Sequence, residues 1–429
     1  MSQATADMVR HDEVIEAPVI HAPIQWRFPI AAMVMAALTV VFAVISKGES
    51  VFSMAGASRA FEISNLHMNS SPVVWTLAIL AIIFAGVATY LAMNRKKYVA
   101  MFTGLAAVAF ILGFLVWIVA GRTGATMPVV QLLQGAVAFA VPLILGALSG
   151  VVCERSGIIN IAIEGQLLAG AFMGAVIASL ANSPLIGMLL APVAGVLVAL
   201  LLGLFTIKYR VDHIIVGVVL NMLVLGLTSF LYSSWLMNDP SRLNRASFLG
   251  RYPIPLLSDI PVIGPVFFNQ TILVYLMYII VIVLQFMLFR SRWGLRLRAC
   301  GEHPKAADTV GIKVNRTRWR AVMLGGALAG LGGAFFSIGL GLAFTKNMAA
   351  GNGFIALAAM ILGRWNPKGA VAAAAIFGFA TNLGYVMQSV NNSIPYEFLL
   401  MIPYVVTILA VAGFVGAVRP PAMEGKPYP

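Results

Sequence analysis

Charge is what this 429-residue chain has least of: Asp, Glu, Lys and Arg together make 10% of it. So few charged side chains cannot cover a soluble globule of this length, and with 60% of residues hydrophobic the bilayer has to be the solvent. Groups for catalysis are equally scarce. There are two cysteines and five histidines and no H-E-x-x-H, C-x-x-C or G-x-S-x-G, which leaves no metal framework and no activated nucleophile. No G-x-x-x-x-G-K-[ST] occurs either. The only Gly-Lys pair, Gly425-Lys426, is followed by Pro427, so the chain cannot cradle nucleotide phosphates in a P-loop. No catalytic residue, metal or cofactor is expected, and energy for any work must come from elsewhere.

What is there is a series of apolar runs. Crossing about 30 Å of hydrocarbon takes roughly 20 residues. Runs of that kind occupy 28–46, 73–93, 99–120, 128–151, 160–181, 184–207, 213–236, 270–289, 321–343, 369–389 and 396–418. A shorter run, 348–363, brings the crossings to twelve if it also passes through, and both termini then share a side. With the N-terminus inside, 21 of the 28 Lys and Arg residues fall on inner segments, and the reverse orientation inverts that ratio. The expected fold is an all-α polytopic helical membrane protein with about 11–12 transmembrane helices, N-in and C-in. The net charge of +13 is split among short loops rather than gathered on one face, so nucleic acid is not an expected partner. Asp7, Asp12, Glu13 and Glu16 make the first 27 residues unlike a basic signal-peptide start, and the first run reads as an anchor. Cys153 and Cys300 both fall on the predicted cytoplasmic side, so no disulfide is expected.

The chain divides into a cytoplasmic tail (1–27), a three-helix membrane extension (28–122), a core (128–418) and a second cytoplasmic tail (419–429). The extension holds almost nothing polar at depth and reads as scaffold or assembly surface. From 128 onward Gly and Ala become dense. The pairs Gly146/Gly150, Gly170/Gly174 and Gly326/Gly330 predict close helix packing rather than a substrate site. The outer connection 237–269 carries Pro240, Pro253, Pro255, Pro261 and Pro265, which exclude a regular helix through it and leave either a docking loop or a spacer.

Two stretches carry functional signals. The loop 290–320 holds nine of the Lys/Arg residues around Gly301-Glu302-His303-Pro304-Lys305-Ala306-Ala307-Asp308-Thr309-Val310-Gly311-Ile312. Pro304 suits the first helical position, Ala306-Ala307 favour helix, and Gly311 is placed for a left-handed cap. A helix of about seven residues is marginal alone, so a partner is expected to hold it. The second stretch is Cys153–Gly165. Counted from Ile158 at about 1.5 Å per residue, Glu164 lies roughly 9 Å up a helix, with Asn160 on the same face. An acid at depth costs about 2–4 kcal/mol on insertion scales and must face the bundle interior, a water path or a counter-charge. For Glu164 a structural ion pair or helix-end hydrogen bond, to Arg155 or the 290–320 loop, stands beside a gating role and direct substrate contact. Asn221, Thr228, Asn382 and Gln388 are neutral polar groups in apolar spans that either bridge helices or line a path. Phe172 and Phe335 are candidates to stack on a ring, or simply to pack. The site candidates are therefore Gly301, Glu302, Pro304, Lys305, Ala306, Ala307 and Gly311 for coupling, and Asn160, Glu164, Asn221 and Asn382 for translocation or gating.

Over roughly 128–429 the chain resembles the permease subunits of bacterial ABC importers of the branched-chain amino acid, simple sugar and nucleoside class, and is most similar to the nucleoside branch. The resemblance rests on Glu154–Gly165, Gly301–Ile312, Gly353–Pro367 and the tail Arg419-Pro420-Pro421. It implies that 301–312 is the coupling helix seated on a cytoplasmic ABC ATPase subunit. Lys305 stands where the general coupling pattern has Glu, and His303 where the nucleoside branch often has Asn, a better N-cap. The resemblance further implies alternating access in the bacterial inner membrane, a second permease subunit and an extracytoplasmic substrate-binding protein. A simple sugar or branched-chain amino acid remains an alternative substrate. An ion-coupled secondary transporter using Glu164 is the competing class.

Overall fold

The computed structural model describes residues 26–56, 63–122, 124–341, 343–390, 401 and 419–429. Helix α1 (Arg27–Ile45) leads to strands β1 (Glu49–Ser53) and β2 (Leu66–Asn69), then α2 (Ser70–Met93), α3 (Val99–Val119), β3 (Thr126–Pro128) and α4 (Val129–Glu154). Next come α5 (Ile163–Leu180), α6 (Pro184–Gly203) and α7 (His213–Leu231), the last two running on into π-turns at Leu204–Lys208 and Tyr232–Leu236. The proline-rich connection contains α8 (Pro240–Leu243), β4 (Arg251–Pro253), α9 (Ile263–Phe268) and β5 (Asn269–Thr271). The chain continues through α10 (Ile272–Arg290), α11 (Arg292–Glu302), α12 (Pro304–Thr309), α13 (Val314–Ala334, with a π-turn at Phe335–Leu340), α14 (Asn352–Leu362) and α15 (Pro367–Val390).

Among the described residues ten helices are long and apolar enough to cross a bilayer, and they coincide with ten of the expected runs. The chain is a polytopic helical membrane protein. The expected run 396–418 and the tail 1–25 lie outside the described residues. The run 348–363 resolves differently from a full span: α14 has 11 residues, about 16 Å, or half the hydrocarbon.

The chain folds as two compact units, Met1–Ile45 with Val74–Phe114, and Ser46–Val73 with Leu115–Pro429. In the first, buried alanines bring α1, α2 and α3 together through Ala32, Ala36, Ala81, Ala85, Ala88, Ala106 and Ala109, while Ile30, Val34, Ile79, Ile82, Met101 and Val108 are exposed. Small residues inside and large aliphatics outside is the arrangement lipid demands, because tails solvate Leu and Ile as well as a core does. Within the second unit β1 lies between antiparallel β2 and parallel β3. There the core is built on α4, α5, α6 and α13, with α14 and α15 against α4.

Glycines permit this closeness. A Cβ on Gly195 of α6 would lie 2.0 Å from the carbonyl oxygen of Gly326 on α13, and one on Gly170 of α5 would lie 2.1 Å from that of Gly330. Gly146 and Gly150 of α4 meet Ala356 and Met360 of α14. The glycine pairs are packing surfaces. The proline-rich connection is equally well anchored. Gln134 of α4 donates to Pro265 O and Asn269 O and accepts from Arg251, while Asn244 exchanges hydrogen bonds with the Phe344 backbone. It is therefore fastened to Gln134 and to the Phe344 backbone. Overpacking costs about 1–3 kcal/mol, so Gly195→Val is expected to lower the unfolding midpoint in detergent. Gly226→Ala, where nothing lies within 4 Å, is expected to leave it unchanged or raise it slightly.

Candidate functional site

The site forms where α4 ends and the chain re-enters the bundle. Gly157 takes a left-handed φ of +97°, and residues 158–162 run without helix until Ile163 opens α5. The helix thus starts five residues later than the count from Ile158 assumed, and Asn160 is not on a helical face with Glu164. Inside a bilayer, backbone groups freed by such a break need partners from the protein. Asn221 of α7 supplies two, accepting from Gly165 N at 2.8 Å and donating to Ile161 O at 2.9 Å. His213 accepts from Ile159 N at 3.2 Å through Nδ1. Asn160, fully buried, donates to Ser149 Oγ and Gln166 Oε1, and Gln166 donates back to it.

Glu164 closes the arrangement. Its carboxylate accepts from Gly351 N at 2.8 Å and from Gly353 N at 2.6 Å, the first amides of α14, whose cap residue Gly351 has φ +85°. A side chain on Gly353 would have its Cβ 2.5 Å from the Glu164 Cα, so only glycine admits this approach. The acid of one segment therefore caps a half-helix of another. The helix-end hydrogen bond expected for Glu164 exists, but its partner is neither Arg155 nor the 290–320 hairpin. Arg155 instead donates to the backbone of Trp365 and Arg364. Trp365, just past α14, donates to Glu154 at the end of α4 at 2.6 Å, so the start of α14 lies about 15 Å along the bundle from that end. Two charge-assisted hydrogen bonds, about 1.5–3 kcal/mol each, reduce the cost of placing this acid in the bundle, about 3 kcal/mol on insertion scales.

The remaining candidates separate. Asn382 of α15 donates to Leu132 O and Gln131 O near the opposite end of α4, and Thr228 bonds its own helix at Val224 O. Phe335 is buried edge-on to Phe139, and Phe172 packs edge-on to Phe344; both are interior contacts. An apolar cavity of about 570 Å³ lies between α4, α9, α10 and α15, lined by side chains such as Leu133, Val137, Phe267 and Val281. Its walls offer almost no polar group to hold a hydrophilic solute. No cluster able to hold a metal occurs among the described residues.

On the face where α4 ends, the basic loop is largely helical. Pro304 is the first residue of α12, His303 at its cap makes no side-chain bond, and Gly311 has φ +81°. Ile312 N bonds Ala307 O and Gly311 N bonds Asp308 O, the paired closure of a Schellman stop. Lys305, Ala306, Thr309 and Val310 are exposed, whereas Gly301, Pro304 and Ala307 are buried. Ala307 belongs to a small cluster with Cys300 and Val314, against which Ile312 and Tyr428 pack. Of the coupling candidates, then, Glu302, Lys305, Ala306 and Gly311 face outward, and the rest shape the hairpin.

A family model for the branched-chain amino acid transport system / permease component matches residues 132–411. The chain belongs to this permease family. It is 40% identical over 319 residues to the guanosine ABC transporter permease protein NupQ of Bacillus subtilis, a match covering 70% of this chain and 98% of that protein. It is 40% identical over 315 residues to the nucleoside ABC transporter permease protein NupC of Lactococcus lactis, covering 70% of this chain and 99% of the relative. A putative glucose ABC transporter permease protein, TsgC13 of Haloferax volcanii, is 33% identical over 61% of this chain and 78% of its own. No solved structure matches the chain. The permease is a multi-pass inner-membrane protein, and α1, α2 and α3 precede the part the family model covers.

Several residues that hold this permease together carry no local signal. Gln166, Ser149, His213 and Trp365 matter through partners distant in sequence. One pattern was available: Gly351-Asn352-Gly353 before an apolar run is a helix start, and one too short to span asks for a cap at depth. In Glu164→Gln one of the two amides faces an NH₂ group instead of a carboxylate oxygen. A lost charge-assisted bond is worth about 1.5–3 kcal/mol, so substrate uptake in vesicles is expected to fall about tenfold or more, with membrane insertion unchanged. At the end of α4, Glu154 shares a hydrogen bond with Glu424 of the C-terminal tail. Burial pushes the Glu424 carboxyl above the usual carboxylate range. Docking of the tail is therefore favoured while the Glu154–Glu424 pair holds a proton and weakens as pH rises through its titration. Hydrogen-exchange protection of the Met423 and Gly425 amides, corrected for intrinsic exchange, is expected to fall with rising pH and to fall less steeply in Glu424→Gln.

Proposed function

We propose that this permease is the membrane subunit of an ATP-driven importer for nucleosides, working by alternating access with its ATPase on separate cytoplasmic subunits. The observation that carries the reading is the 40% identity to two nucleoside-transporter permeases along 98% and 99% of their lengths. In this reading the hairpin face is cytoplasmic, both termini are inside, and α12 is the coupling helix. Its rigid Schellman-capped backbone and the exposed Lys305, Ala306, Thr309 and Val310 suit a seat in a cleft of an ATPase. A second permease chain and an extracytoplasmic substrate-binding protein complete the assembly, and residues 28–122 form a membrane extension to the 128–418 core. Asn160, Glu164 and Asn221 sit at the moving heart of that core, with Asn382 fastening α15 to α4.

A neutral solute agrees with the geometry, since the positive end of α14 is already taken by Glu164 and offers no free anion site. The same occupancy argues against an ion-coupled transporter, because loading a proton or sodium ion on Glu164 would compete with the cap. A simple sugar is the second reading, favoured by the 33% identity to the putative glucose permease. Uptake of labelled guanosine, glucose and leucine by proteoliposomes holding the full complex separates these. Guanosine uptake that requires hydrolysable ATP is the expected result, and uptake following an imposed ion gradient without ATP would overturn the class. Because Ala307 is buried, the diagnostic substitution is Ala306→Arg. It is expected to leave the permease folded and inserted and to cut ATP-dependent uptake by about tenfold or more, since a bulky charge at an interface centre costs about 2 kcal/mol or more.

A further inference from the structure

The tail from Ala422 to Pro429 touches nearly every part of the hairpin face. Ala422 N donates to the Glu302 carboxylate at 3.2 Å and Met423 N to Gly301 O at 2.9 Å, both at the end of α11. Gly425 N donates to Gly157 O at 3.0 Å, on the turn that leads to Asn160 and Glu164. Buried Arg318 of α13 donates through Nε to Ser156 O and through Nη1 to Lys426 O, holding turn and tail in one guanidinium. Glu424 reaches Glu154 at the end of α4. Tyr428 packs on the cluster of Cys300, Ala307 of α12 and Val314. Asn315 donates to Pro429 O.

Without the tail, the hairpin and the re-entrant turn meet by close packing, where a Cβ on Gly301 would stand 2.3 Å from Arg155 O and 3.3 Å from Gly157 N, and by the attraction of Glu302 for Arg155. Dispersion between packed surfaces loses about a quarter to a half of its strength across a gap of about 0.5–1 Å, so packing transmits a push better than a pull. The hydrogen bonds from Met423 to one side and from Gly425 to the other turn the abutment into a linkage. We propose that the C-terminal segment 422–429 is a strap that ties the α11–α12 hairpin to the 155–162 turn, so that displacement of the hairpin moves the Glu164–α14 clasp in both directions of the cycle. The strap's role rests on the reading that α12 is where the ATPase acts. Tyr428, Gly425 and Arg318 are then positioning residues, which act on the path only through the turn.

The test uses the full complex in proteoliposomes and measures ATPase co-purification, ATP hydrolysis, uptake of labelled guanosine and thermal stability. Tyr428→Ala keeps the tail backbone and removes its anchor on α12, and deletion of 422–429 removes the strap. Both variants are expected to retain the ATPase subunits and their hydrolysis. Uptake per ATP hydrolysed is expected to fall about tenfold, the size of effect a coupling residue exerts, and Tyr428→Phe to recover much of it through ring packing. Uptake per ATP that stays at the wild-type ratio in Tyr428→Ala, or loss of the ATPase subunits from the complex, would overturn the strap. If uptake by the unmodified complex needs no ATP, the motor reading itself fails, an outcome visible before any tail variant is tested.

Discussion

A backbone group that loses its helical partner inside a bilayer has no water to turn to, and the core of this permease is organised around two places where that happens. One is the turn 158–162 and the other is the start of α14. Each supplies what the other lacks. The turn carries Glu164 into the bundle, and the free amides at the start of α14 give that carboxylate the donors it needs. Remove either and the other is left with an unpaired charge or unpaired amides in hydrocarbon. The clasp therefore behaves as a unit, and it explains why Gly353 has no side chain and why Asn221 and His213 point into a break rather than across a continuous helix.

That clasp lies a short path from the water. From Glu164 the chain descends through Asn160 to Gly157, held by the tail, and Ser156, held by Arg318, and the tail bridges from there to the end of α11. Short elements of this kind have two useful mechanical properties. A half-helix can tilt without dragging a full span, and glycine surfaces such as Gly195 on Gly326 let neighbouring helices slide with little side-chain interlock. The stiff parts are the long helices α4 and α13, both deeply buried along their length, and they frame the movable pieces.

Much of the fold was legible in the sequence because a bilayer makes only one demand on a spanning segment: enough apolar length. The ten runs, the glycine packing pairs and the helix Pro304–Thr309 with its glycine stop all follow from local composition. The sites were harder to read where a residue's partner is remote. Glu164 stood out as an acid at depth, yet its partners are 187 and 189 residues away. Ala306 and Ala307 look alike in sequence, but one faces water and the other lies against Cys300, Val314 and Tyr428. The tail carries a family motif in Arg419-Pro420-Pro421, but its hold on the hairpin shows only when its amides are seen on the carbonyls of Gly301 and Gly157.

By itself, then, the sequence determined the solvent, the place of ten long helices, the basic hairpin and the lack of a P-loop motif, since each depends on residues close along the chain. Only the tertiary structure decided that 348–363 is a half-helix whose cap is Glu164, that Asn221 and Asn382 serve different ends of the core, and that 419–429 closes over the hairpin. Those are matters of which hydrogen-bonding groups meet in space, and inside a membrane every such group has to be matched by a partner drawn from anywhere in the fold.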